Sequence, residues 1–135
     1  MHDIFLKIIN KDIPANIIFE NEYVIAFLDI SPVTKGHTLV VPKKYSKNIL
    51  DIENEDLVEI IKSIKYLAPI IVDSIEADGF CIKQNNGEAA DQTVMHTHFH
   101  IIPRFRDDGL VAWSGNTSNP DEFIEIANKI KNNIE

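Results

Sequence analysis

The sequence predicts an α+β fold built on an antiparallel sheet, and three observations carry that reading. Short apolar runs at 17–19, 24–28 and 37–42 follow one another in hairpin-like succession. One long stretch of helical periodicity then separates them from two further strand-like runs. The other helical segments lie towards the ends of the chain, so helices and strands are segregated and do not alternate as in a parallel βαβ sheet.

Taken in order, Ile4, Phe5, Ile8 and Ile9 recur at helical spacing and predict a short amphipathic helix over 3–9. Ile17 to Phe19 and Val24 to Leu28 read as two buried strands joined by a turn at Glu20-Asn21-Glu22. His37 to Val41 is a third strand, stopped by Pro42, whose missing N–H cannot extend a ladder. From about Asn54 to Ile75, Leu57, Ile60, Ile61, Ile64, Leu67, Ile71 and Ile75 mark one face of a long helix. Pro69 inside it removes a helix bond, so a bend near Ala68 is expected, or failing that a break. Phe80 to Gln84 is a fourth strand, residues 85–91 a loop, and Met95 to Pro103 a fifth strand. Asn119-Pro120 supplies a cap and first-turn proline for a last helix reaching about Asn132.

A chain of 135 residues has the size of a single domain. A formal net charge of −8 argues against a nucleic-acid binder, which needs a basic face. A small anion stays compatible, because backbone N–H groups and a few side chains can hold one phosphate. Cys81 has no second cysteine to pair with, which fits a reducing compartment. The first residues show no basic segment followed by a long apolar run, and no stretch approaches the roughly 20 apolar residues of a membrane span. The expectation is a cytoplasmic protein with neither membrane nor nucleic-acid partners.

The most informative segment is His96-Thr97-His98-Phe99-His100. A spacing of two matches the period of a strand, so the three imidazoles are expected on one face, roughly 6.6–7 Å apart. Such a row can be a structural cluster, a metal site, or a centre for covalent or acid–base work. A structural cluster desolvates three polar rings together. Parallel side chains on a strand converge poorly on one ion, and the helical HExxH pattern is absent. In the nucleophile reading a backbone carbonyl holds Nδ1–H of His98 and leaves Nε2 free to attack.

The run His-Thr-His-Phe-His-Ile-Ile resembles the signature of the histidine-triad (HIT) family, with Thr97 at a usually apolar place. Phe27-Leu28-Asp29-Ile30-Ser31-Pro32, Gly36-His37-Thr38-Leu39-Val40-Val41-Pro42-Lys43-Lys44 and Asn85-Asn86-Gly87 also align with its Hint-like branch. The likeness covers about residues 3–106, leaving a C-terminal extension with a helix over about 120–132. It implies a single HIT domain over 1–135, with a five-stranded antiparallel sheet that dimerises into a ten-stranded one. It also implies a hydrolase or transferase that cleaves nucleoside phosphoramidates and releases AMP, with no cofactor. By that resemblance His98 is the nucleophile, His100 contacts the phosphate, and His96 orients His98 through its main-chain carbonyl. His37 stands behind the row, and Asn85, Gln92 and Thr93 lie about the phosphate or leaving group. Asp29 is placed to accept from the ribose hydroxyls, although Asp before Ser-Pro is equally a turn former. Ile4, Phe5, Ile8, Phe27, Ile30 and Leu39 form the apolar slot for the base. Phe5 and Phe27 offer flat surfaces that favour a purine.

Two departures stand out. Relatives that bind zinc use a Cys-x-x-Cys pair and two histidines. Asp3, Leu6 and Tyr45 occupy three of those four places here, so no metal is expected. Asp91 stands where the family commonly has glycine, and an ordinary backbone with the carboxylate pointing outward is expected there. Trp113 is expected either to reach toward a partner subunit's site or to sit in an exposed loop. Dinucleoside polyphosphate hydrolysis, a nucleotide-binding module with vestigial catalysis, and a metal protein are the competing readings.

Overall fold

The computed structural model describes residues 3–117 and 119–135. Its elements are α1 (Ile4–Ile9), β1 (Ile17–Glu20), β2 (Val24–Leu28), β3 (Thr38–Pro42), α2 (Asn54–Ile75), β4 (Gly79–Gln84), β5 (Phe99–Arg104) and α3 (Pro120–Asn132), with a 3₁₀ turn at Glu88–Ala90. The five strands form one antiparallel sheet in the order β1-β2-β3-β5-β4.

Alternation along the central strands divides the core into two layers. Val24, Ala26, Val40, Phe99 and Ile101 face α2 and meet Ile60, Ile64, Leu67 and Ile71. Ile25, Phe27, Leu39 and Val41 face the other way, against Phe5 and Ile8 of α1. Both faces of β2 and β3 are therefore covered, which is why their sequences are almost wholly apolar. β1 differs from the expectation. It pairs only with β2, it carries a register irregularity between Ile17 and Phe19, and Ile17 and Ile18 are exposed. Its apolar run signals an edge strand, since both core layers are filled without it.

α2 runs unbroken through Pro69, whose side chain is exposed. Proline deletes the bond to the carbonyl four residues earlier, and at an exposed position that carbonyl can turn to water. Glu55 and Asp56 place negative charge in the first turn, and the helix closes at Glu76 in a left-handed conformation (φ 56°). Asn119 caps α3 by accepting from Asp121 N at 2.9 Å. Gly36 has φ +85° and leads directly into His37. A Cβ there would lie 2.5 Å from Ile75 Cδ1 and 3.3 Å from Pro103 Cγ, so α2 and β5 close on this turn.

The fifth strand is shorter than predicted. It begins at Phe99, and His96 and His98 lie on an irregular approach to it. The reason is local. Thr97 N donates to Ser46 O at 2.8 Å, a loop carbonyl and not a ladder partner. Thr97 is fully buried, and its hydroxyl pairs with that of Ser46 at 2.7 Å. A hydroxyl at a place where an apolar residue was expected is thus satisfied inside the protein.

Candidate active site

The strand register builds the site. Leu39 pairs with Phe27 on one side and with His100 on the other, so one rung runs Phe27–Leu39–His100 across the sheet. Two strand spacings separate Phe27 from His100, about 10 Å. An apolar surface and a polar histidine thus share one face, separated along the rung by the spacing of two strands. Above this rung opens a cleft of about 300 Å³, lined by Ile4, Phe5, Ile8, Ile13, Pro14, Ala15, Phe27, Leu28, Asp29, Ile30, Leu39, Thr93, Val94, His98 and His100.

Hydrogen bonds assign the ring protons. His98 Nδ1 donates to the His96 carbonyl at 2.7 Å, which leaves Nε2 as a bare lone pair. Val33 N–H donates to His37 Nδ1 at 3.1 Å, so His37 carries its proton on Nε2. That proton is donated to His100 Nδ1 at 2.9 Å. In its neutral form His100 therefore holds its own proton on Nε2. An unprotonated ring nitrogen and an N–H donor stand side by side, with ring centroids 5.0 Å apart.

Burial makes these rings harder to protonate than ordinary imidazoles. Burial is the largest influence on His98 and lowers it, opposed first by the His96 carbonyl. Burial likewise lowers His37, opposed by Asp29. His100 is pushed down to about 4, first by burial and then by the neighbouring His98 and His37. All three are neutral at neutral pH, as the hydrogen-bond chain requires.

The other expected site residues divide. Thr93 and all six apolar slot residues line the cleft. Phe5 and Phe27 are 5% and 3% exposed and pack edge-on at 5.6 Å, so they form its floor and are not free stacking platforms. Ile4 and Ile30, 41% and 85% exposed, form its rim. Asp29 also lines the cleft, and the turn reading holds as well, because Oδ1 accepts from Ser31 N at 2.8 Å. Its Oδ2 lies 3.7 Å from His37 Nε2.

Three expectations are corrected. His96 does not share the open face with His98 and His100, since its ring is fully buried against Asp3 and Pro42. Gln92 is buried and its amide is fully occupied: Oε1 accepts from Gly87 N, and Nε2 donates to the carbonyls of Lys47 and Val94. It shapes the loop and has no donor left for a ligand. Asn85, beside the same loop, donates to Asp91 O at 3.3 Å. Asp91 is exposed as expected, but its backbone is left-handed (φ 64°) and its N–H donates to Glu88 O. The loop keeps a glycine-like geometry without glycine, which Asp tolerates better than most residues.

Asp29, His37 and His100 bring potential metal-ligand atoms within 4.8 Å of one another. His37 Nε2–H donates to His100 Nδ1, so those two ring nitrogens are already paired with each other, while Asp29 Oδ2 stands 3.7 Å from His37 Nε2, beyond hydrogen-bond reach. Asp3, noticed in the sequence only as a replaced thiol, contributes directly. Its Oδ1 caps α1 by accepting from Phe5 N and Leu6 N, and its Oδ2 lies 2.7 Å from His96 Nδ1.

These features define a protein built around a histidine relay at the mouth of an apolar cleft. The model of the HIT domain matches residues 10–107. An uncharacterised HIT-like protein of Methanocaldococcus jannaschii is 45% identical over 95% of this chain and 98% of its own. The adenosine 5′-monophosphoramidase of Schizosaccharomyces pombe is 35% identical over 99% of both chains. The crystal structure of a HIT family member from Bacillus subtilis superposes with a TM-score of 0.89 at 39% identity, covering 100% of this chain and 99% of that one. The chain belongs to the HIT-domain family.

Proposed function

We propose that this protein is a nucleotide hydrolase or transferase that cleaves purine nucleoside 5′-phosphoramidates and releases AMP. The observation that carries the reading is the tautomer of His98: with Nδ1–H held by the His96 carbonyl, the Nε2 lone pair is available beside the Nε2–H of His100. Nε2 of His98 attacks the phosphorus, and the P–N bond to the amine breaks. The amine leaves with the bonding pair and gains a proton. Water then attacks phosphorus, loses a proton, and displaces His98, freeing AMP. Splitting one displacement into two in-line steps is the advantage of a covalent intermediate. His100 donates to a phosphate oxygen from a fixed position, which lowers the barrier without reorganisation. The base lies on the Phe5–Phe27 floor and Asp29 accepts from the ribose. The related phosphoramidase of Schizosaccharomyces pombe supports this class of substrate.

Turnover of adenosine 5′-phosphoramidate, with diadenosine tetraphosphate assayed in parallel, tests the reading. The expected results are preference for the phosphoramidate, a nucleotide adduct by denaturing mass spectrometry, and loss of about a thousandfold or more in His98→Asn. Undiminished turnover in that variant overturns it.

We further infer a cytoplasmic homodimer. The edge strand β4 exposes Phe80 and Ile82, and α2 exposes Ile61, Tyr66 and Ile70. A second copy can cover both surfaces by continuing the sheet edge to edge. Sedimentation at micromolar concentration is expected to give twice the chain mass.

A further inference from the structure

His96 has an unusual pair of neighbours. Its ring is fully buried. Nε2 lies 2.9 Å from the Pro42 carbonyl oxygen, and Nδ1 lies 2.7 Å from Asp3 Oδ2. A carbonyl only accepts, so Nε2 carries a proton. A neutral ring has one N–H, which would leave the Nδ1 lone pair facing a carboxylate oxygen. The other carboxylate oxygen already accepts from two backbone N–H groups, at 2.8 and 3.2 Å. Two arrangements satisfy every atom, an imidazolium paired with a carboxylate or a neutral ring accepting from a protonated carboxyl group, and the two backbone N–H groups donating to Oδ1 match the carboxylate form. Phe5 and Tyr45 pack edge-on against the ring, with centroids 5.9 and 5.4 Å away, and help to exclude water.

We propose that Asp3 is a positioning residue: its carboxylate holds His96 as a buried imidazolium, and this ion pair fixes the carbonyl that sets the tautomer of His98 while fastening α1 to the histidine segment. The proposal deepens the function given above and rests on it for the role of His98, but the charge on His96 is independent of turnover. Three consequences follow from the geometry. The ring of His96 is held at both ends, by Asp3 before α1 and by Pro42 at the end of β3, so its carbonyl has little freedom. α1 carries Ile4, Phe5 and Ile8 of the cleft, so the same pair sets the wall of the slot against the nucleophile. A positive charge two residues from His98 also opposes protonation of Nε2, an effect that burial reinforces and that Asp29 and Asp3 partly offset. The titratable groups facing His96 are Asp3, Tyr45 and His98.

The test uses the full chain with ¹⁵N-labelled histidine. Ring-nitrogen shifts at about pH 7.5 are recorded for the wild type and for Asp3→Asn. Asparagine is as good a helix cap as aspartate, so α1 keeps its start. Its amide then donates to Nδ1, and His96 becomes neutral. The expected wild-type signature is two protonated nitrogens on His96 and the single Nδ1–H form on His98. In Asp3→Asn His96 is expected to show one protonated nitrogen. With adenosine 5′-phosphoramidate, kcat is expected to fall on the order of tenfold, the scale of a small misplacement of a reacting group, and the acid limb of the pH profile to move upward. A neutral His96 in the wild type overturns the proposal, and so does an imidazolium that survives Asp3→Asn. The predicted shifts with unchanged kcat and pH profile refute the positioning role alone. Turnover that survives His98→Asn instead refutes the proposed function and leaves the ion pair standing.

Discussion

Acidification is expected to destabilise this protein through its buried histidines, and His100 gives the magnitude. In the unfolded chain its ring takes a proton near 6.5, whereas the folded environment holds it down to about 4. The sign follows from proton counts. Above about pH 6.5 neither state is protonated and the group does not alter stability. Between the two values the unfolded state binds the extra proton, so folding is progressively penalised as pH falls, and the penalty levels off below about 4. At about 1.4 kcal/mol per pH unit, the loss by about pH 4.5 is on the order of 2 kcal/mol, a sizeable part of a typical domain's stability. His98 and His37 are shifted in the same direction and add to it. The assay is urea unfolding followed by circular dichroism at pH 7 and about 4.5, at fixed protein concentration because association would couple to stability. Comparison with His100→Asn removes the contribution of carboxylates common to both proteins. The wild type is expected to lose about 2 kcal/mol more than the variant over this interval. Equal losses in the two proteins refute the account of a desolvated neutral ring.

Further outcomes are expected from the same geometry. kcat/KM for adenosine 5′-phosphoramidate is expected to stay flat from pH 8 to below 6.5, because burial keeps Nε2 of His98 unprotonated; an acid limb centred above 6.5 contradicts this. Gly36→Ala places a Cβ at φ +85° against Ile75 and Pro103, and calorimetry is expected to show a loss of roughly 1–3 kcal/mol. An unchanged melting temperature would show that the turn relaxes freely. Asp91→Gly is expected to change turnover by less than about fivefold, because an exposed carboxylate is screened by solvent and salt. A gain of two orders of magnitude would show that this carboxylate repels the substrate.

Local signals exposed most of the fold. Uniformly apolar runs marked β2 and β3 because both faces of those strands are covered, and Asn119-Pro120 marked the start of α3 because capping is a local matter. β1 was misread as buried, since an apolar triplet does not reveal whether a second layer covers it. The histidine pattern suggested a strand from Met95, whereas an interaction with Ser46, 51 residues away, keeps His96 and His98 out of the ladder. The site showed the same division. Spacing singled out His98 and His100, and the family likeness placed the apolar slot and the carbonyl of His96. The bond from Asp3 to His96 joins residues 93 apart, and no local pattern announces it. Gln92 was expected near the phosphate on the family likeness alone, and only coordinates show its hydrogen bonds turned inward.

The hydroxyls of Thr97 and Ser46 have a consequence for how this sequence can drift. Replacing Thr97 alone strands the Ser46 hydroxyl in a dry interior, a change that typically costs about 1–3 kcal/mol, whereas the Thr97 hydroxyl keeps the Ser46 carbonyl, 3.2 Å away, when Ser46 is replaced. The coupling between the two positions is thus one-sided: a lineage that acquired an aliphatic group at 97 would come under selection to alter 46, but not the reverse.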